Sequence, residues 1–127
     1  MARNLPVLER LARRYRLGVV SNFTGNLRPC LEELGLARFF AVLSDSALVG
    51  WSKPDPRIFV HTLAALQVSA RRAWMVGDNF EADIRGAAGL GLRTCWLAPS
   101  DRAAPSGGGL VPTARITRLP DVERVLE

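Results

Sequence analysis

Several residue types that mark large classes of protein are scarce in this chain. Its 127 residues include two cysteines, Cys30 and Cys95, whose spacing fits neither a metal site nor a CxxC motif. We therefore expect reduced thiols in the core and a cytoplasmic protein, not a disulfide-stabilised one. No apolar run is long enough to span a bilayer, so a membrane is not expected among the partners.

Lysine is also scarce, because Lys53 is the only lysine and the rest of the 17 basic residues are arginine. Arginine is a wide planar fork, whereas lysine is a compact charge that can reach a single oxygen in a crowded site. The lysine lies in the segment 50–56, with the sequence GWSKPDP. Lys53 is therefore a candidate contact for a phosphate group.

Positive charge is plentiful, with a net charge of +5 and a sequence pI of about 10.5. The densest basic clusters are short and unpatterned, and consist of Arg13, Arg14, Arg16, Arg71 and Arg72. Charge of this kind predicts a solvated basic face, so nucleic acid is not favoured as a partner. An arginine-rich nucleic-acid binder stays open as an alternative, and its affinity should fall steeply as salt rises.

Four short apolar runs, each ending abruptly in polar residues, predict buried strands. They lie near Leu17 to Val20, Phe39 to Leu43, Ala73 to Val76 and Thr94 to Leu97. A helix-like segment lies between each successive pair of runs. This alternation predicts an α/β fold with a parallel sheet covered by helices.

The helix-like segments have recognisable starts and stops. The predicted helices run from Asn4 to Tyr15, from Leu27 to a stop at Gly35, from a cap at Asp55 with Pro56 in first position, and from Glu81 to Leu90. Composition predicts a flexible loop at 99–112 and a short strand and helix at 113–127. The whole of 1–127 is predicted to form one small domain.

Polar residues follow the predicted strands where a ligand would bind. In an open parallel sheet, ligands bind beyond the carboxyl ends of the strands, and Ser21 and Asp78 lie at two such ends. Lys53 lies in the loop after another of the strands, the one near Phe39 to Leu43. A phosphate would accept a hydrogen bond from Ser21 and be neutralised by Lys53, while Asp78 and Asp83 would hold Mg²⁺. Taken singly, a strand end, a turn and a helix N-terminus also explain Ser21, Asp78 and Asp83.

Together, in this order and spacing, these residues resemble the haloacid dehalogenase-like superfamily of aspartate-nucleophile hydrolases. Ser21 after an apolar strand matches the second motif, Lys53 followed by PDP matches the third, and Gly77-Asp78 with Asp83 matches the fourth. The resemblance covers about residues 5–98. It implies a Rossmann-like, three-layer parallel sheet with helices on both faces.

The resemblance also implies roles for individual residues. Lys53, Ser21 and Asp78 would be catalytic, Ser21, Asn22 and Lys53 would bind substrate, and Asp78 and Asp83 would bind Mg²⁺. In the family mechanism an aspartate attacks phosphorus, and the resulting aspartyl-phosphate is hydrolysed. The form of the fourth motif favours a phosphatase with a small phosphorylated substrate over a haloacid dehalogenase. A dehalogenase and a non-catalytic module that binds phosphate and Mg²⁺ stay open as alternatives.

The chain departs from the family at the first motif, the Asp-x-Asp that supplies the nucleophile, because no aspartate precedes Asp45. Asp45 is predicted to lie in the loop after the second strand, Asp55 is a predicted helix cap, and Asn4 lies upstream of any strand. The resemblance places the missing motif on a central strand between those of Ser21 and Asp78, with a helical cap inserted after it. We therefore expect an N-terminally truncated, inactive chain, or one that borrows a strand from a partner or within an oligomer.

Overall fold

A computed structural model describes residues 5–103 and 110–126. The α-helices of the described residues are α1 (Leu5–Arg14), α2 (Leu27–Glu33), α3 (Ser46–Val49), α4 (Pro56–Leu66), α5 (Gly86–Ala88) and α6 (Val122–Leu126). The strands are β1 (Gly18–Ser21), β2 (Val42–Asp45), β3 (Trp74–Gly77), β4 (Arg93–Leu97) and β5 (Ala114–Ile116). Short 3-10 turns span Ala37–Phe39, Ala70–Arg72 and Leu119–Asp121, and Phe80–Arg85 is π-helical.

The chain divides into two compact units, Met1–Val68 and Ser69–Glu127, each with its own parallel sheet. In the first unit β1 pairs with β2, and in the second β4 lies between β3 and β5. Across the described ranges, β1 and β3 each have one hydrogen-bonded neighbour. No strand of the described residues pairs with both, and the single domain stays a prediction.

Helix α4 supplies the main apolar face of the first unit. It begins as predicted, because the Asp55 side chain accepts a hydrogen bond from the N–H of Arg57 and Pro56 occupies the first position. Ile58 and Phe59 are buried, and α4 contacts both strands of the sheet. Burial of each such side chain stabilises the fold by about 1.5–3 kcal/mol. Because α4 packs against β2, both ends of the segment that joins these two elements are held in place.

The second unit has a compact aromatic core beside the end of β3. It consists of Phe80, Ile84, Trp96 and Ala98, with Leu110 packed against it. The rings of Phe80 and Trp96 meet edge to face, with centroids 5.0 Å apart. Aromatic pairs in this geometry stabilise a core beyond the area they bury. The pair fixes the start of the segment after β3 against β4.

The second strand lies later in the chain than predicted. It spans Val42–Asp45, whereas Phe39, the predicted first residue, lies in a 3-10 turn. A short apolar run cannot separate a buried turn from a strand by periodicity, and this run contains both. Asp45 is therefore the last residue of β2, and its predicted place in the following loop is wrong. Lys53 still follows this strand, with the additional short helix α3 in between.

The predicted fourth helix, Glu81 to Leu90, is a π-helical segment followed by the three-residue α5. A π-helix makes i→i+5 hydrogen bonds in place of i→i+4, so its turns are wider and α-helical apolar spacing does not reveal it. The predicted terminal strand and helix are present as β5 and α6. Of the predicted flexible loop, 99–103 and 110–112 contain neither helix nor strand, and 104–109 lie outside the described residues.

Both cysteines are free thiols, as predicted. Cys95 on β4 is fully buried, and this burial raises the pKa of its thiol. Cys30 on α2 is half-buried, so its predicted place in the core is wrong. Within the described ranges, no helix is both long enough and apolar enough to cross a membrane. Cytoplasmic localisation stays a prediction.

Candidate active site

The end of β1 and the lysine loop are joined through one side chain. Ser21 is the last residue of β1 and is half-buried. The next residue, Asn22, accepts a hydrogen bond from the backbone N–H of Lys53 at 2.7 Å and donates one to the carbonyl of Lys53 at 3.1 Å. The amide side chain therefore pairs with both backbone groups of Lys53. This pairing holds the lysine beside the residue that follows Ser21.

The lysine loop ends at a well-defined helix start. Its Lys53–Pro54 peptide bond is cis, and Asp55 N–H donates to the carbonyl of Ser52 at 2.8 Å. Arg57 donates to both oxygens of Asp55, and this hydrogen bonding holds the pKa of the Asp55 carboxyl below its ordinary value. The stabilisation is present above the ordinary pKa and is lost as pH falls through the folded-state pKa. Asp55 is thus a helix cap, as predicted.

Asp45 has a structural role that the sequence reasoning missed. The residue is 2% exposed, and its side chain accepts hydrogen bonds from the backbone N–H groups of Gly25, Leu27 and Ala47, at 2.9 to 3.1 Å. The hydroxyl of Ser46 accepts from the N–H of Phe23 at 3.0 Å and donates to its carbonyl at 3.1 Å. An aspartate at the end of an apolar run, before a serine, was the only signal available.

Asp78 and Asp83 lie in the second unit, around the end of β3. Asp78 is exposed, and its carbonyl accepts a hydrogen bond from Nε1 of Trp96 at 3.1 Å. Asp83 is 3% exposed, and its Oδ2 accepts from the N–H of Asn79 at 3.2 Å. A Cβ atom on Gly77 would lie 2.3 Å from that same Oδ2. Glycine is therefore required before Asp78, because Asp83 lies directly against the backbone there.

These carboxylates suit Mg²⁺ by their chemistry. Mg²⁺ takes oxygen ligands and is usually bound by one or two protein carboxylates with water and substrate phosphate. Burying a carboxylate costs free energy unless the group is hydrogen-bonded, paired or bound to a metal. Asp83 is a buried carboxylate that accepts a hydrogen bond from Asn79. In the part of the chain that the structure describes, no group of three or more His, Cys, Asp or Glu side chains could hold a metal. Asp78 and Asp83 offer carboxylates of the kind that Mg²⁺ takes, and their place among its ligands stays a prediction.

The predicted site residues fall into two groups. The structure brings Ser21, Asn22 and Lys53 together in the first unit, through the Asn22 amide. In the second unit it places the Asp83 carboxylate against the backbone of Gly77 and Asn79, on either side of Asp78 in the chain. Because the groups belong to different units, their assembly into one site stays a prediction.

Residues 4–91 match the family model of haloacid dehalogenase-like hydrolases, and the chain belongs to this family. It is 36% identical over 113 residues to pyrimidine 5'-nucleotidase YjjG of Escherichia coli (strain K12), covering 87% of this chain and 49% of that protein. It is 41% identical over 93 residues to phosphoserine phosphatase of Thermus thermophilus, covering 69% of this chain and 37% of that protein. The chain thus spans half or less of the length of these relatives.

Solved structures confirm the predicted fold class. The putative HAD-hydrolase YfnB of Bacillus subtilis, described as bound to magnesium, has a TM-score of 0.89 at 27% identity, covering 99% of this chain and 55% of that one. A 2-haloacid dehalogenase of Pseudomonas syringae pv. Tomato has a TM-score of 0.84 at 35% identity, covering 96% and 50%. The chain has the Rossmann-like α/β fold of this family, with parallel sheets and helices on both sides. Family membership by itself does not decide between phosphatase and dehalogenase.

Proposed function

We propose that the complete protein is a Mg²⁺-dependent phosphomonoester phosphatase that works through an aspartyl-phosphate. The present chain supplies the phosphate-binding residues and part of the metal site. The observation that carries the proposal is the two-bond pairing between Asn22 and the backbone of Lys53. It attaches the only lysine of the chain to the end of the strand that bears Ser21, where we propose that a phosphate binds. The relatives named as a nucleotidase and a phosphatase support the same chemistry.

Each predicted site residue of the first unit has a defined role in this proposal. The hydroxyl of Ser21 donates a hydrogen bond to a phosphoryl oxygen, and the ammonium group of Lys53 neutralises the charge of that group. Asn22 acts chiefly by holding Lys53, because its amide oxygen and its amide nitrogen both bond the lysine backbone. The substrate is a small phosphorylated molecule.

Asp78 and Asp83 would hold Mg²⁺, which when bound supplies positive charge beside the transferring phosphoryl group. Asp78 is exposed and accessible to water and substrate, whereas Asp83 is buried against Gly77. Two acidic residues in these positions favour a metal-dependent phosphatase. The dehalogenase alternative has its own support in the 35% identity to a 2-haloacid dehalogenase.

The nucleophile is the part that this chain does not contain, since no aspartate precedes Asp45 and Asp45 itself is engaged by backbone N–H groups. We therefore expect little or no turnover from the 127-residue chain alone. The intact mass of the native protein tests whether that protein is larger than this chain, as the proposal requires. A mass near 13.9 kDa would instead favour a borrowed partner strand or a binding-only role.

Hydrolysis of p-nitrophenyl phosphate, with Mg²⁺ and with EDTA, tests the activity. A form extended upstream through its own Asp-x-Asp segment should be active only with Mg²⁺. Lys53→Ala and Asp78→Asn should each lower its kcat/KM about 100-fold or more, because the first removes positive charge beside the phosphoryl group and the second removes a charged ligand proposed for Mg²⁺. Arg71→Ala, which removes an exposed cation outside the site, is the matched control and should have no effect.

Three results would contradict the proposal. Full activity in Lys53→Ala and Asp78→Asn would show that the site is wrongly assigned. Turnover by the short chain that both substitutions abolish would show that it contains a replacement nucleophile. Halide release from 2-chloropropionate, with no phosphate release from the ester, would identify a dehalogenase.

A further inference from the structure

Two adjacent side chains at the end of β2 hold the loop that follows β1. The carboxylate of Asp45 accepts from Gly25 at 3.1 Å on Oδ1 and 2.9 Å on Oδ2, and from Leu27 at 3.1 Å on Oδ2. The hydroxyl of Ser46 makes two hydrogen bonds with the backbone of Phe23. Between them they bond three of the five residues 23–27. We refer to this pair as the Asp45–Ser46 clamp.

The clamp is strong because its acceptor is a buried charge. Hydrogen bonds from backbone N–H groups to a carboxylate are about twice as strong as those between neutral groups. Asp45 is 2% exposed, so water competes poorly for its oxygens. A third donor, the N–H of Ala47 at 3.0 Å, ties the same carboxylate to the start of α3. One side chain therefore joins the loop after β1 to the segment that leads towards Lys53.

The clamp bonds the residue next to Asn22, the residue that holds Lys53. Phe23, which Ser46 holds, directly follows Asn22, and Asn22 makes the two hydrogen bonds to the backbone of Lys53. Asn22 is exposed, so water competes for these two bonds, and they depend on the loop after β1 keeping its position. If the loop moved by about 1 Å, a hydrogen bond of 2.7 Å would be lost.

We propose that Asp45 and Ser46 are positioning residues that hold the loop after β1 so that Asn22 can place Lys53 beside Ser21. The proposal rests on the proposed function only for the statement that Lys53 and Ser21 bind phosphate. It also assigns Asp45 a role other than that of nucleophile, since its oxygens already accept hydrogen bonds from three backbone donors.

Amide hydrogen exchange on the full 127-residue chain tests the clamp directly. Asp45→Asn keeps the shape of the side chain but removes its charge and turns an NH₂ group towards N–H donors. We expect it to speed exchange at the amides of Gly25, Leu27 and Lys53 about tenfold or more, since local opening controls exchange at such sites. The Lys53 amide is the decisive one, because its hydrogen bond goes to Asn22 and not to Asp45.

Ser44→Ala is the matched control. Ser44 precedes Asp45 on β2 and is fully buried, and its hydroxyl pairs with that of Thr62 at 2.6 Å. Loss of this hydroxyl should lower the midpoint of thermal unfolding. It should leave amide exchange at Lys53 unchanged relative to the rest of the unit. Should Asp45→Asn fail to fold, Ser46→Ala removes the two bonds to Phe23 at a half-buried position and should speed exchange at Lys53 as well.

Inorganic phosphate, titrated by 31P NMR, gives the functional readout. Asp45→Asn should raise the Kd for phosphate about tenfold, while Ser44→Ala should leave it unchanged. Exchange at Lys53 that is equal in Asp45→Asn and Ser44→Ala would overturn the clamp, as would an unchanged Kd in a folded Asp45→Asn protein. A wild-type chain that binds no phosphate would count against the proposed function, and the exchange result would still decide the clamp.

Discussion

The two units each contain one deeply buried aspartate, and they use it differently. Asp45 in the first unit is 2% exposed, and backbone donors from two separate segments bond its carboxylate. Asp83 in the second unit is 3% exposed, and its carboxylate lies directly against the backbone of Gly77. Burial alone therefore does not distinguish the carboxylate proposed to position a loop from the one proposed to bind Mg²⁺. The groups that surround each carboxylate make that distinction.

The units also support their predicted site residues in comparable ways. In the first unit the side chain of Asn22 bonds the backbone of Lys53, and in the second the indole N–H of Trp96 bonds the carbonyl of Asp78. In both cases a side chain from elsewhere in the unit holds the main chain of a site residue.

The largest expected effect is that of Gly77→Ala in the second unit. The new Cβ would lie 2.3 to 2.5 Å from three atoms of Asp83, so the carboxylate or the strand would have to move. We expect a loss of about 2–3 kcal/mol in the free energy of unfolding. Gly18→Ala in the first unit should cost about 1 kcal/mol or less, because its nearest neighbour is the flexible end of Leu66 at 3.1 Å.

Urea unfolding followed by circular dichroism and by tryptophan fluorescence measures both losses. Gly89→Ala is the control, since its nearest neighbours lie at 3.8 Å and its φ is helical. It should change stability by no more than about 0.5 kcal/mol. Equal losses for Gly77→Ala and Gly18→Ala would contradict the close approach of Asp83 to the end of β3.

The next effect is that of Trp96→Phe, which removes the indole N–H that bonds Asp78. A carbonyl deprived of its donor and a smaller ring in the core should together cost about 2 kcal/mol. The amide resonances of Asp78 and Asn79 should shift, and their response to added Mg²⁺ should weaken. Trp74→Phe is the control, because it makes the same substitution on β3. Its ring is half-buried and lies under Arg93. A response to Mg²⁺ that is equal in both variants would show that Trp96 does not position Asp78.

The smallest effect is a difference in thiol reactivity between the units. Cys30 in the first unit is half-buried, whereas Cys95 in the second is fully buried and its thiol pKa is raised by that burial. A thiolate is the reactive form, so Ellman's reagent should modify Cys30 and leave Cys95 untouched until the protein unfolds. Cys30→Ser should abolish the native reaction, and Cys95→Ser should leave it intact. Rapid native modification of Cys95 would show that the second unit opens readily.

Part of the site was accessible to sequence reasoning because its signals are local. An apolar run before Ser21, another before Gly77-Asp78, and an Asp-Pro helix start after Lys53 each occupy a few consecutive residues. The structure places the end of β1 at Ser21, the end of β3 at Gly77 and the start of α4 at Pro56. The clamp was missed because its bonds join residues about 20 apart in the chain. Trp96 was missed for the same reason, since it lies 18 residues from Asp78.

The sequence by itself determined the α/β class, the motif residues and the family, because periodicity, turn residues and spacing are properties of short segments. It also determined that no aspartate precedes Asp45, whatever the fold. Only the tertiary structure decided that Asp45 ends a strand and binds backbone donors, that Asn22 holds Lys53, and that Asp83 lies against Gly77. Those outcomes depend on which distant segments pack together, and a side chain's partners are known only once that packing is complete.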